Sequence, residues 1–277
     1  MKMSKKDPLV SVVMPAYNTE KYISEAIESI LNQTFKDFEF IIIDDGSTDK
    51  TWEIIQSYAE KDKRIIPVKN EKNLKISRTL NKGIAMSKGK YIARMDADDW
   101  SYPSRLEKQV EFMERNTDVV VSGGYIVVCD ETLSPVYVRK YPVTDKSIRS
   151  KMFIYNPFAH PSVMFRTFPI KEEKCVYDHN LHGAEDYDLY FRLGKRGKFA
   201  NLNDVILKYR ISDNSVSYKG HVRQGLLTLY IRFKAVTKYG YKIPVHFLLA
   251  QPFELLIILL VPFSLKNKIF SLMRKYI

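Results

Sequence analysis

The sequence predicts an α/β fold: a mostly parallel sheet with helices on both faces, a smaller lobe over one sheet edge, and a C-terminal helical extension. Three observations predict it. Short β-branched apolar runs alternate with amphipathic helical stretches through the first half of the chain, which is the pattern of repeated βα units. The runs end in Pro, Asn, Asp or Gly-Ser, as buried strands entering turns do. With 277 residues, 45% of them hydrophobic and 13% aromatic, the chain is long and apolar enough to bury a sizeable core.

The first strand is "LVSVVMPAYN" and the second "FEFIIIDDGSTD". Between them "EKYISEAIESILNQTF" sets Tyr22, Ile23, Ala26, Ile27, Ile30 and Leu31 at spacings of three and four, one face of a helix. A second helix starts near Asp49 and carries Trp52, Ile55 and Tyr58. "RIIPVKN" follows as strand, "SRTLNKGIAMSKG" as helix and "KYIARM" as strand. Past Pro103, a helix with Leu106, Val110 and Met113 leads into "VVVSGGYIVV", a strand-like run interrupted by two glycines. Residues 130 to 218 are richer in Pro and Tyr and read as the smaller lobe. In open sheets of this kind ligands sit beyond the carboxyl ends of the strands, so "PAYN", "DDGS" and "DADD" are expected on one edge.

The formal charge of +12 is unevenly spread: from Lys219 onward there are ten Lys and Arg against one acid, Glu254. "LLTLYIRFKAVTKYG" interleaves apolar residues with Arg232, Lys234 and Lys238, a basic amphipathic pattern. Val245 to Phe263 is an apolar run near the length of a membrane span of about 20 residues. Glu254 and Pro252 within it favour a segment lying on or re-entering an anionic leaflet over a simple span. A helical cap on the core or a homodimer contact is the competing reading of this tail. Because the positive charge shares the tail with an apolar run, nucleic acid is not the expected partner. The start, "MKMSKKDPLV", lacks the uninterrupted apolar region of an export signal. Cys129 and Cys175 are the only cysteines, which suits a reducing compartment. The expected location is cytoplasmic, peripheral on the inner face of the cell membrane.

"YIARMDADDW" carries the chemistry. Two carboxylates separated by one residue, Asp96 and Asp98, can present oxygens to one hard divalent cation such as Mn²⁺ or Mg²⁺, whose open positions substrate phosphates fill. Taken alone the same residues also describe a solvated turn. No G-x-x-x-x-G-K-[ST] and no G-x-G-x-x-G after a strand is present, which removes the phosphate cradles of P-loop kinases and dinucleotide dehydrogenases. An aspartyl-nucleophile phosphatase would want its acid pair after the first strand, whereas these acids come late.

"VSVVMPAYNTEKYISEAIESILNQTFKDFEFIIIDDGSTDKT", "KGIAMSKGKYIARMDADDWSYPSRLEKQVEFMERN", "HPSVMFR" and "GAEDYDLYFRL" resemble, in order, the successive signatures of glycosyltransferase family 2, the inverting sugar transferases of the Rossmann-like GT-A fold. The resemblance runs from about Leu9 to Ser217. It implies that Pro15, Ala16, Tyr17 and Asn18 line the nucleotide base and ribose and that Asp45 contacts a uracil ring. Asp96 would reach the ribose or the metal shell, Asp98 would ligate the metal, and Asp186 would be the catalytic base. Leu80 stands where many members have an arginine, leaving Arg78 and Arg94 as candidates for the diphosphate contact. Ser212 follows "YR" where many members have a histidine nearby.

The implied protein is a metal-dependent enzyme taking a UDP-sugar donor and a saccharide or lipid-linked acceptor in cell-surface polysaccharide synthesis. The implied division is 1–128 for nucleotide-sugar binding, 129–218 for the acceptor and the catalytic base, and 219–277 for the membrane-associated tail. The competing reading is a membrane-bound binding module of the same fold without activity. Two residues stay open between roles: His160 as a polar contact to donor or acceptor, or as a structural histidine, and Trp100 as a sugar-stacking or a packing residue.

Overall fold

A computed structural model describes residues 7–211 and 221–243, together with Val261. The first strands and helices are β1 (Val10–Ala16), α1 (Ile23–Leu31), β2 (Phe38–Asp44), α2 (Thr51–Lys61), β3 (Ile65–Lys69) and α3 (Ile76–Met86). β4 (Tyr91–Arg94), β5 (Trp100–Ser101), α4 (Arg105–Arg115), β6 (Val119–Cys129), β7 (Pro135–Arg139) and α5 (Asp145–Lys151) follow. The last elements are β8 (Met164–Arg166), α6 (Thr167–Lys171), α7 (Glu185–Leu193), β9 (Lys198–Arg210) and α8 (His221–Thr237). One nine-stranded sheet runs in the order β3-β2-β1-β4-β8-β6-β9-β5, with β7 hydrogen-bonded to β6. β3, β2, β1 and β4 are mutually parallel, as are β6 and β9. β8 inserts antiparallel between β4 and β6. Strands from both sides of residue 128 therefore share one sheet, in the α/β arrangement expected from the sequence.

Strand alternation sorts the core into two layers. Val12 and Met14 of β1 and Phe40 and Ile42 of β2 pack with Ile23, Ile27 and Ile30 of α1, Ile55 of α2 and Leu106, Val110 and Met113 of α4. The intervening Val13, Ile41 and Ile43 face the other way, onto Leu80 and Ile84 of α3. Ile148, Ile170, Leu189, Ile231 and Ala235 of α5 to α8 belong to that same layer. The near-continuous apolar runs of β1 and β2 follow from this, since both of their faces are covered.

The second helix begins at Thr51. Asp49 precedes it: one oxygen accepts from the Thr51 amide at 3.0 Å and the other from the Glu20 amide at 3.1 Å. The two glycines of "VVVSGGYIVV" fall inside β6, where the register against β9 shifts at Gly124/Tyr125, so the interruption is a bulge rather than a strand end.

Parallel pairing of Ala16 with Asp44 and of Val13 with Arg94 brings the ends of β1, β2 and β4 to one edge. The turn after β2 depends on Gly46, whose φ is +73°. A Cβ there would lie 2.7 Å from the Lys72 carbonyl carbon. Gly46→Ala is expected to cost roughly 1–3 kcal/mol, read as a lower urea midpoint with an unchanged m-value.

Candidate functional site

The edge is assembled from short polar segments that follow buried strands. Pro15 and Ala16 are the buried last residues of β1, and Tyr17 next to them is 45% exposed. Asn18, in the left-handed region at φ +50°, joins this segment to the turn after β2. Its amide donates to Ser47 Oγ at 3.0 Å and its Oδ1 accepts from the Thr48 amide at 2.9 Å. Asp45 is buried and organises the loop leading into α3. Oδ1 accepts from Asn70 Nδ2 at 2.8 Å and the Leu74 amide at 2.9 Å, and Oδ2 from the Lys75 amide at 3.0 Å. A carboxylate has about four lone-pair sites, so Oδ2 keeps capacity for one further donor.

Asp96, Asp98 and Asp99, after β4, offer carboxylate oxygens that lie within 4.8 Å of one another. The positive charges nearby are few. Arg94, 5% exposed, pairs with Asp96 Oδ2 at 2.5 Å through Nη1, while its buried Nε has no partner. Arg210, at the end of β9, donates its backbone amide to Asp99 Oδ1 at 2.9 Å, its Nε to the Asp98 carbonyl at 2.7 Å, and Nη2 to Glu25 at 2.6 Å. Asp99 Oδ2 is buried without a hydrogen bond. Burial first, and the charge of Asp96 second, push the Asp98 carboxyl up to about 6. Burial and then Asp98 push Asp99 well above the ordinary carboxylate range. A buried acceptor without a donor, amid oxygen-only groups short of positive charge, fits a hard divalent cation.

Asp186 opens α7. Its Oδ2 accepts from Asn156 Nδ2 at 2.6 Å and its Oδ1 from the Tyr187 amide at 2.8 Å. Desolvation, then the charge of Glu185, push its carboxyl up to about 6; the Tyr187 amide, Asn156 and Arg94 act in the opposite direction. Glu185, also raised by burial, accepts from the Gly183 amide at 2.6 Å. Arg94 thus acts electrostatically on Asp98 and on Asp186, which ties the carboxylate turn to the start of α7. His160, in the 3-10 turn before β8, shares a 2.8 Å hydrogen bond with the Tyr177 hydroxyl. Burial, then Arg94, hold its imidazole well below its ordinary pKa, so it is neutral at pH 7 and fixed by a structural partner.

Arg78 is exposed on α3, without a hydrogen bond or ion pair among the described residues. Trp100 packs edge-on against Tyr102 at 5.2 Å, with Lys208 Nζ 5.1 Å from its ring centroid. Ser212 lies outside the described residues. Sequence reasoning missed Asp99, Arg210, Glu185 and Asn156 as parts of the site. Asp99 and Glu185 adjoin residues already singled out, but nothing in the chain signals Asn156, which comes from a loop 30 residues away.

The chain belongs to glycosyltransferase family 2: the model of "Glycosyl transferase family 2" matches residues 11–172. Among its relatives, the uncharacterized glycosyltransferase MJ1057 of Methanocaldococcus jannaschii is 42% identical over 233 residues, covering 82% of this chain and 79% of the relative. The O-antigen biosynthesis glycosyltransferase WbnJ of Escherichia coli is 36% identical, covering 75% and 81%. Among solved structures, residues 1–349 of S. aureus TarS in complex with UDP-GlcNAc superpose with a TM-score of 0.66 at 19% identity, covering 86% of this chain and 69% of that one. The mannosyltransferase PcManGT from Pyrobaculum calidifontis, in complex with GDP-Man and Mn²⁺, gives 0.67 at 16% identity, covering 91% and 73%. At these identities the structures establish the shared fold.

Mn²⁺ or Mg²⁺ is expected to raise the melting temperature, by the equivalent of about 2.7 kcal/mol at a hundredfold excess over Kd. Asp98→Ala, measured by differential scanning fluorimetry, should lose that shift. Because the substitution relieves repulsion among the acids, the metal-free protein should melt no lower than the wild type.

Proposed function

We propose that this protein is a metal-dependent, inverting glycosyltransferase that moves a sugar from a UDP-sugar to a hydroxyl of a saccharide or lipid-linked saccharide in cell-surface polysaccharide synthesis. The observation that carries the reading is the pairing of two unlike acidic centres. One is a three-carboxylate turn short of positive charge, and the other is a single carboxyl raised to about 6 at the start of α7; Arg94 acts on both. WbnJ is named for O-antigen biosynthesis, which supports the polysaccharide setting. The UDP-GlcNAc bound to TarS and the Mn²⁺ bound to PcManGT support a sugar-nucleotide donor and a metal.

In this reading Tyr17, beside the buried Pro15 and Ala16, offers an aromatic face to the nucleotide base, and Asn18 holds that segment to the turn after β2. Asp45 Oδ2, with its remaining lone pair, accepts from a ring N–H of uracil. Arg94 and the solvent-facing Arg78 are the cations available to the diphosphate. Asp96 and Asp98, with the free oxygen of Asp99, would hold a divalent cation that stabilises negative charge growing on the leaving diphosphate.

Asp186 takes the proton of the acceptor hydroxyl as its oxygen bonds to the anomeric carbon. The bond from that carbon to the diphosphate breaks, the electron pair leaves with the nucleoside diphosphate, and attack from the opposite side inverts the centre. A base of pKa near 6 is ionised at neutral pH and still basic enough to assist, a service typically contributing about 10²–10⁴-fold.

The test is transfer from a panel of nucleotide sugars, with Asp186→Asn and Asp98→Ala beside the wild type. We expect kcat to fall about 10²–10⁴-fold in Asp186→Asn with donor binding retained, and EDTA to abolish turnover. The ionised carboxylate is the active form, so kcat should rise with pH up to about 6 and level above it. Donor binding without transfer in the wild type would instead support the binding-module reading, and retained turnover in Asp186→Asn would remove Asp186 as the base.

A further inference from the structure

α8 is amphipathic in an unexpected sense. Ile231 and Ala235 are fully buried against the core and Arg232 is 2% exposed. Lys234 pairs with Asp188 of α7 at 2.7 Å. Arg232 and Lys234, read from sequence as part of a basic amphipathic pattern, are thus structural cations of the inner face. The opposite face is apolar: Val222, Leu226, Tyr230 and Phe233 are exposed by 37%, 42%, 49% and 66%. At 100° per residue they fall within an arc of about 80°, one stripe pointing away from α7. Arg223, Lys238 and Lys242 are exposed on the same element and the turn after it.

α8 is also bonded to the segment that carries the acid at the start of α7. Gln224 Nε2 donates to the Gly183 carbonyl at 2.7 Å, three residues before Asp186. Gly183 has a φ of +92°, a conformation that suits glycine. Arg232 donates to the Tyr187 hydroxyl at 3.2 Å and to the Ile154 carbonyl at 2.7 Å, close in sequence to Asn156. The Tyr239 hydroxyl donates to Asp188 at 2.9 Å.

We propose that the outer stripe of α8 is a membrane-contact face for an anionic lipid surface, which holds the opening of α7 at the bilayer where a lipid-borne acceptor would arrive. It deepens the glycosyltransferase reading above and rests on it for the acceptor alone. The occupant is inferred from charge and continuity. The chain from Lys219 on carries ten Lys and Arg against one acid, with the apolar run Val245 to Phe263 separated from the end of α8 by seven residues. An apolar stripe flanked by cations matches the boundary between headgroups and acyl chains. The Val245–Phe263 run lies, apart from Val261, outside the described residues. No helix among the described residues is long and apolar enough to cross a membrane.

The test is flotation of the full chain with vesicles of phosphatidylcholine containing 30% phosphatidylglycerol, beside pure phosphatidylcholine. Leu226→Glu/Phe233→Glu is the variant, and donor hydrolysis and melting temperature are followed in parallel. The wild type should float with the anionic vesicles and at least tenfold less with the neutral ones. The variant should lose at least tenfold in bound fraction, with donor hydrolysis and melting temperature unchanged. A variant that floats like the wild type overturns the proposal. So does a variant that melts several degrees lower or changes its oligomeric mass, because the stripe is then covered by the chain itself or by a second copy. Loss of flotation with donor hydrolysis absent even in the wild type would leave the membrane face standing and remove the enzymatic reading.

Discussion

The excess of negative charge at the end of β4 is the constraint around which this protein is arranged. Three carboxylates with oxygens within 4.8 Å of one another cannot all be ionised cheaply where water is scarce. The chain answers with backbone and guanidinium groups rather than with neutralising partners in equal number. Arg94 pairs with Asp96, and Arg210 supplies its amide to Asp99 and its guanidinium to the Asp98 carbonyl. Arg105, fully buried on α4, donates to the Arg94 carbonyl at 2.6 Å, so the end of β4 is held from beneath. Burial and Arg94 together push the Arg105 guanidinium down to about 9. What remains is a set of oxygens with one unpartnered acceptor and raised carboxyl pKa values, an electrostatic deficit that a doubly charged ion relieves.

The acid on α7 is tuned by a different balance. Asp186 lies outside the three-carboxylate turn, but it has Glu185 as its neighbour and little water. Two hydrogen-bond donors keep its pKa from climbing further. The two centres share the electrostatic influence of Arg94 and differ in make-up: one is a cluster of three carboxylates, the other a carboxyl held by two hydrogen-bond donors. Pairs of titratable groups pushed to different tasks by their surroundings are characteristic of sites that do acid–base chemistry.

The helices on the second face of the sheet connect this site to the far end of the chain. α7 is gripped by α8 through Arg232, Lys234 and Gln224, and by Tyr239 beyond it. α8 is therefore bonded to the segment of backbone that carries Asp186. That linkage explains why cations which look surface-directed in a helical wheel are spent on the interior, leaving the solvent side of α8 to Leu226, Tyr230 and Phe233.

Periodicity and turn chemistry determined the parallel βα core and the gathering of its loops on one edge, because burial on both faces leaves β1 and β2 nearly continuous apolar runs, broken within by the hydrogen-bonded pair Ser11 and Glu39, and leaves each helix one apolar stripe. The ordered motifs likewise determined the family, and with it Asp96, Asp98 and Asp186 as residues to watch. Only the tertiary structure decided which groups share their electrostatics. Asn156 reaches Asp186 from a loop without pattern, Arg210 arrives from the other end of the sheet, and Arg232 turns inward to meet Tyr187. Such contacts depend on how strands distant in sequence close into one sheet, and local periodicity carries no information about them.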